Sequence, residues 1–294
     1  MKLYRFLLIV ALFIGLGGCD IITDGYEELT PTEAFDQECI QKSTRDNPFA
    51  GNSDPIAKKV LLEEMTGHQC GNCPQHTEVG WDLYQNVFQD RMVFLSIHTG
   101  PLARFVPSAS KYYTDFTTET GTALQDEFNP DGTVPFGMIN RTTFGFGSGS
   151  WESKVTAELD KSAEVGIHLT NCFDDDSRRL TIVANLKYLI NSDENDYLAV
   201  YLVEDEIKDW QKDYRLNKVD IEEYKHHNVL RATINGTWGQ PISEGAIAAD
   251  ELFQLSYGYE IPEEYDADKC YIIAFVHDFE TKEIRQVEII KVDE

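Results

Sequence analysis

Three hydrophobic patterns succeed one another along the chain. Phe6 to Leu16 is a short, unbroken apolar run, too short to span a bilayer. Residues 19–57 are polar and poorly periodic, broken by Pro31, Pro48 and Pro55, and read as a tether with little regular structure. From 58 to 165, strand and helix signals alternate. Val60-Leu61-Leu62 and Met92 to Ile97 are apolar runs of the kind found in buried strands. Between them Val79, Leu83 and Val87 recur every fourth residue, predicting one face of a helix. Tyr112, Tyr113, Phe116, Leu124 and Phe128 predict a helix over 111–128, weakened at Gly121. Phe136 to Ile139 predicts a third strand, and Trp151, Val155 and Leu159 a last helix. Such alternation argues for a sheet with parallel pairs and helices on its faces.

From about residue 166 the period changes to two. Leu180, Ile182, Ala184, Leu186 and Tyr188 alternate with mostly polar neighbours. Further strands are expected at 166–172, 197–203, 229–234, 270–276 and 284–290, with turn chemistry at 174–177, 191–196 and 277–283. Spacing of this kind suggests an antiparallel, immunoglobulin-like β-sandwich over 166–294. The charged stretch 204–222 is expected to hold a short helix or a long loop.

Charge narrows the partners. The 294 residues hold 25 Lys and Arg against 51 Asp and Glu, a formal net charge of −26. That surface repels phosphate backbones, so no nucleic-acid partner is expected. It also repels anionic headgroups, so attachment to a membrane needs an anchor other than charge. The start of the chain supplies a candidate. Lys2 and Arg5 precede the apolar run, and Leu16-Gly17-Gly18-Cys19 follows it. This resembles the lipobox of bacterial lipoproteins, whose signal (here 1–18) is cut before a cysteine that is then acylated. Cys19 is the expected lipidation site. Export implies an oxidising compartment. Five further cysteines remain: Cys70 and Cys73 form a C-x-x-C, and Cys39, Cys172 and Cys270 are an odd set of open pairing.

The stretch from Val60 to Pro74, VLLEEMTGHQCGNCP, carries the candidate chemistry. A strand runs into a C-x-x-C that opens a helix. Unpaired N–H groups at a helix start lower a thiolate pKa, and a second thiol one turn on can resolve a mixed disulfide. Two other uses of these cysteines stand beside the redox one. They could form a structural disulfide, or ligate zinc in the pattern His68, Cys70, Cys73, His76, although zinc sites usually draw ligands from two separate segments. His226-His227 is expected as a strand–turn pair with one ring exposed.

Here the chain resembles the thioredoxin superfamily. Glu64 lies six residues before Cys70, where many such proteins carry a buried acid, and Thr133-Val134-Pro135 resembles the loop whose cis-proline faces the active-site sulfurs. Glu63 points to the opposite face of the strand, so only one of the two acids is expected to be buried. More narrowly, LLEEMTGHQCGNCP, SIHTG at 96–100, VPFGMINR at 134–141, HHNVLRATINGTWG at 226–239 and IRQVEIIKV near the end resemble the Bacteroides-type 28-kilodalton outer-membrane lipoprotein family. The resemblance implies an α/β thioredoxin-like domain over 58–165 followed by the β-sandwich domain, on an outer-membrane lipoprotein.

Two functions follow as expectations. One is a thiol–disulfide oxidoreductase acting on exported client proteins through transient mixed disulfides. Cys70 would attack, Cys73 resolve, Glu64 assist proton transfer and Pro135 wall the substrate side, with no cofactor or metal. The departures Gln69 and Gly71-Asn72 from the usual thioredoxin residues bear on its potential. The other is a non-catalytic lipoprotein that keeps the first domain as a scaffold and docks a protein or glycan through the second.

Overall fold

The computed structural model describes residues 32–51, 55–106, 111–192 and 195–293. Helix α1 (Gln37–Arg45) interrupts the expected tether. Its N-cap is Asp36, whose Oδ1 accepts from the backbone N–H groups of Glu38 and Cys39 at 2.7 and 3.1 Å, satisfying donors that a helix start leaves free. A disulfide from Cys39 to Cys172 bolts this helix to the body and leaves Cys270 as a buried free thiol.

Strand β1 (Val60–Thr66) leads to α2 (Cys73–Asp82), a π-helical turn over Leu83–Phe88, and β2 (Met92–His98). Then come α3 (Glu119–Phe128), β3 (Phe136–Ile139), β4 (Thr143–Phe146) and α4 (Trp151–Leu159). The remainder is strand apart from a 3-10 turn at Ala267–Lys269: β5 (Val165–Asp174), β6 (Arg179–Tyr188), β7 (Asp196–Glu204), β8 (Ile207–Lys212), β9 (Asp220–His226), β10 (Val229–Thr233), β11 (Gln240–Pro241), β12 (Leu252–Glu260), β13 (Cys270–Asp278) and β14 (Ile284–Lys291).

One mixed sheet of nine strands organises the molecule, in the order β14-β13-β7-β10-β2-β1-β3-β4, with β11 beside β7. A three-stranded sheet, β12-β6-β5, packs on it, and β8 and β9 form a separate hairpin. β1 runs parallel to β2 and antiparallel to β3. Two cores meet across β1. Val60 and Leu62 face Leu83, Phe94, Trp151 and Val155 under α2 and α4. Leu61 and Met65 face Leu124, Tyr201 and Phe275 on the other side. A third core joins the small sheet to Leu198, Val200, Ile272 and Ala274.

This architecture corrects the expectation of an α/β thioredoxin-like domain followed by an immunoglobulin-like sandwich. The structure is mostly β, with short helices and a mixed sheet. Strands from both sides of residue 165 share that sheet, since Val229 of β10 pairs parallel with Ser96 of β2. The Asn228 side chain locks the junction by donating to the Phe94 carbonyl at 2.9 Å. The physical reason for the difference is that periodicity reports which face of a strand is buried. It carries no information on which distant strand lies beside it.

Three local differences have their own causes. The helix expected over 111–128 starts only at Glu119, capped by Thr118. Tyr112 and Phe116 are buried from a loop instead. The π-helical turn leaves Leu83 inward and carries Val87 to the surface, because its wider winding rotates later residues off the 3.6-residue stripe; Val79, on α2 ahead of it, is exposed as well. The charged stretch 204–222 folds into the β8–β9 hairpin rather than a helix or loop.

Candidate functional site

The site forms where β1 ends. Thr66 is followed by a turn in which the Cys70 N–H donates to the Gly67 carbonyl at 2.9 Å and the Cys73 N–H to the Cys70 carbonyl at 3.3 Å. The helix therefore begins at Cys73, with Asn72 as a cap that makes no side-chain bond and Pro74 in its first turn. Cys70 sits in the turn ahead of the helix rather than in its first turn. The two cysteines are joined in a disulfide and are almost fully covered, at 4% and 1% exposure. The Val134–Pro135 bond is cis, and the Cys70 sulfur lies 3.9 Å from the Val134 carbonyl oxygen. The fold thus brings Cys70, Cys73 and the Pro135 loop together, with Cys70 and Val134 64 residues apart in sequence. Cys19 lies outside the described residues.

Glu64 and Glu63 are both buried, which corrects the expectation that only one could be. β1 is a central strand with packed layers on both faces, so alternation does not send either side chain to water. Glu63 is neutralised by Arg141, whose Nε and Nη2 donate to its two oxygens at 2.8 and 2.7 Å. Glu64 faces the opposite side, toward α2. Neither of its oxygens has a hydrogen-bond partner among the described residues. The nearby Thr77 hydroxyl, which lowers its pKa slightly, donates to the Cys73 carbonyl at 3.3 Å. Burial dominates and raises the Glu64 pKa to about 8, so the acid is held protonated near neutrality.

Beside the disulfide lies a cluster that no spacing rule announced. His68, His98 and His226 come from the Cys loop, β2 and β9, and all three are buried. Phe116 is their common neighbour, with ring centroids 5.3, 4.9 and 5.0 Å from the three imidazoles. His68 also stacks on Tyr112 at 5.3 Å, and His98 meets His226 at 5.2 Å. Among the described residues both nitrogens of His98, Nδ1 of His68 and Nε2 of His226 lack partners. Burial lowers all three pKa values, that of His226 to about 3. The proposed zinc set does not converge. His76 is turned toward Ser148, whose backbone N–H donates to its Nδ1 at 2.9 Å. His227, half-buried, stacks on Trp81 at 3.9 Å and bonds Asp205 at 2.7 Å.

The hairpin closes the site from outside. The Lys212 N–H donates to the His68 carbonyl at 2.8 Å and the Tyr214 N–H to the Gly71 carbonyl at 2.9 Å. The Gln211 amide donates to the Cys70 carbonyl at 3.1 Å. The only sequence signal for this cover was the unexplained charge of 204–222.

The site is thus a covered disulfide in a mostly β body of two packed sheets and a hairpin. The model of the family Outer membrane protein Omp28 matches residues 122–294, more than half of the chain, and the chain belongs to that family. It is an outer-membrane lipoprotein. No helix among the described residues is long and apolar enough to cross a membrane. No curated protein matches the sequence. Among solved structures, HBP35 of Porphyromonas gingivalis is similar over 82% of this chain and 77% of its own, with a TM-score of 0.58 and 15% identity. A protein from Agrobacterium tumefaciens is similar over 83% of this chain and 97% of its own, with a TM-score of 0.51 and 12% identity. A domain of the outer membrane lipoprotein Omp28 from Porphyromonas gingivalis is 23% identical and covers 44% of this chain and 88% of its own, at a TM-score of 0.30. At these identities the first two likenesses bear on the fold alone. Both run across the expected boundary at residue 165.

Proposed function

We propose that this lipoprotein is non-catalytic, that Cys70–Cys73 is a structural disulfide, and that the body works by binding another exported protein. The observation that carries this reading is the cover on the sulfurs. A thiolate that must attack a client needs access, and here both cysteines are almost fully covered, with the hairpin bonded along their loop. The anchor is assigned to Cys19, so Cys19→Ser is expected to release the body from membranes and abolish fatty-acid labelling.

The test is a redox titration of the full chain against glutathione with thiol trapping. A potential below about −300 mV supports the structural reading. A potential between about −120 and −270 mV, the range of dedicated oxidoreductases, overturns it.

One observation favours the second reading, an oxidoreductase acting on exported clients: the partnerless Glu64 carboxyl with a pKa of about 8. In that reading Cys70 attacks, Cys73 resolves, Glu64 takes the Cys73 proton and Pro135 walls the client side. Client proteins trapped on Cys70 in a Cys73→Ser variant, and absent in Cys70→Ser, are its signature.

A further inference from the structure

The β8–β9 hairpin pairs with neither sheet. An isolated two-stranded hairpin is marginal in water, so its position depends on what it touches. Its first strand and the residues just after it lie along the Cys loop as an added strand lies along a sheet edge. Alternate backbone N–H groups, those of Lys212 and Tyr214, donate to the carbonyls of His68 and Gly71. Gln211 reaches the carbonyls of Cys70 and Gly67 at 3.1 and 3.4 Å. The Tyr214 ring lies flat against Gly71, so closely that a Cβ there would sit 2.5 Å from it. That ring remains 61% exposed. It covers the loop without being buried itself.

Below, the hairpin is held by buried groups, His226 packed on Phe116 and Asp209 accepting from the Thr114 hydroxyl; toward the surface it is held by ion pairs. Arg215 bridges Asp213 and Glu78, with contacts of 2.6 Å to each. Asp220 accepts from Lys111 at 2.7 Å and from the Tyr112 hydroxyl at 2.5 Å. The solvent-accessible pairs, Arg215 with Glu78 and Lys111 with Asp220, contribute little individually and exchange readily with water or with another cation. Contacts of backbone donors on carbonyls, one aromatic on a glycine and one cation beside an acid can be supplied by any extended segment with the same chemistry.

We propose that the carbonyl row from Gly67 to Gly71 is a docking edge for an extended segment of a partner polypeptide, and that Gln211–Arg215 of this chain fills it as a displaceable strap. The edge selects an amide side chain followed three residues later by an aromatic and then a basic residue, the order Gln211, Tyr214, Arg215. The basic residue takes the place of Arg215 beside Glu78. A net charge of −26 favours a cationic partner and opposes a second copy of this chain. The proposal rests on the binding reading above and names its site.

The experiment uses the full-length lipoprotein in detergent and a fluorescent peptide with the sequence of residues 207–217. Peptide binding is read by anisotropy. Strap opening is read by the rate at which a phosphine reduces Cys70–Cys73, located by alkylation and peptide mapping. Arg215→Ala and Tyr214→Ala are each expected to speed reduction about tenfold and to bind the peptide. Wild type binds it more weakly, and a peptide with alanine in place of the tyrosine and arginine binds neither. Lys225→Ala, on the hairpin but away from the loop, is expected to behave as wild type. Unchanged reduction rates in both strap variants overturn the proposal, as does equal binding of the two peptides. Dimers of Arg215→Ala formed in place of the peptide complex overturn the choice of partner. None of these readings depends on the redox potential, so the strap and the non-catalytic assignment fail separately.

Discussion

Glu63 and Glu64 are neighbours on one strand, equally hidden from water, and the protein accommodates them by opposite means. On the Glu63 face a bidentate arginine is buried with the carboxylate, and the guanidinium carbon lies 4.9 to 5.8 Å from the rings of Phe275, Phe128 and Trp238. On the Glu64 face no cation acts on the carboxyl, and its neighbours are the Thr77 hydroxyl and the Tyr224 phenol. The first acid is buried together with a cation that shares its desolvation cost. The second gives up its charge because nothing does. Depth alone therefore does not set the charge state of a buried acid; what the opposite residue brings does.

The comparison breaks most sharply at Arg141. Arg141→Met strands a buried carboxylate, with an expected loss of about 3–5 kcal/mol in a denaturant titration. Adding Glu63→Gln is expected to recover much of it. A single variant no less stable than the double one shows that the buried pair is not what stabilises this face.

Glu64 predicts the opposite sensitivity. Its folded pKa, about 8, lies above the value of 4.5 for a free side chain. The stability it contributes is complete below about pH 4.5 and is lost as pH rises toward 8. Between pH 5 and 7.5 that loss is about 3 kcal/mol. Glu64→Gln is expected to flatten this part of the pH–stability curve. An unchanged slope means that Glu64 is ionised in the fold.

The imidazoles work in the other direction. With a folded pKa of about 3 against 6.5 when free, His226 contributes stability above pH 6.5 that is lost as pH falls toward 3. His226→Phe is expected to reduce acid destabilisation between pH 6.5 and 5 by about 2 kcal/mol. Equal acid sensitivity in the variant would place the proton uptake elsewhere. The smallest effect belongs to Thr77→Val, which removes the one group that lowers the Glu64 pKa. The alkaline limb of the curve is expected to move up by less than about one pH unit. A shift downward contradicts the assignment.

Much of the chain declared itself locally. The apolar runs at 60–62 and 92–97, the alternation at 180–188 and the stripe at 151–159 each encode burial within a few residues, and strands and helix stand there. The turn that brings Cys70 and Cys73 together is likewise set by adjacent residues, as is the loop that carries Pro135 after its helix. What stayed hidden depends on distant partners. Nothing near Cys39 marks Cys172 as its disulfide partner, 133 residues away. Nothing in β10 marks β2 as its neighbour, and that single pairing turns two expected domains into one sheet. The loop residues Tyr112 and Phe116 read as helix because aromatic spacing alone cannot tell a helix face from a loop that packs on histidines.

The sequence by itself therefore determined where chain is buried, where it turns, and that two cysteines and an acid share one turn and the strand before it. Tertiary structure decided whether those groups are reachable and charged. Side-chain periodicity follows from the local geometry of the backbone. Access and ionisation depend on the total field and packing at a point, and residues such as Tyr214, Arg141 and His226 reach that point from far along the chain.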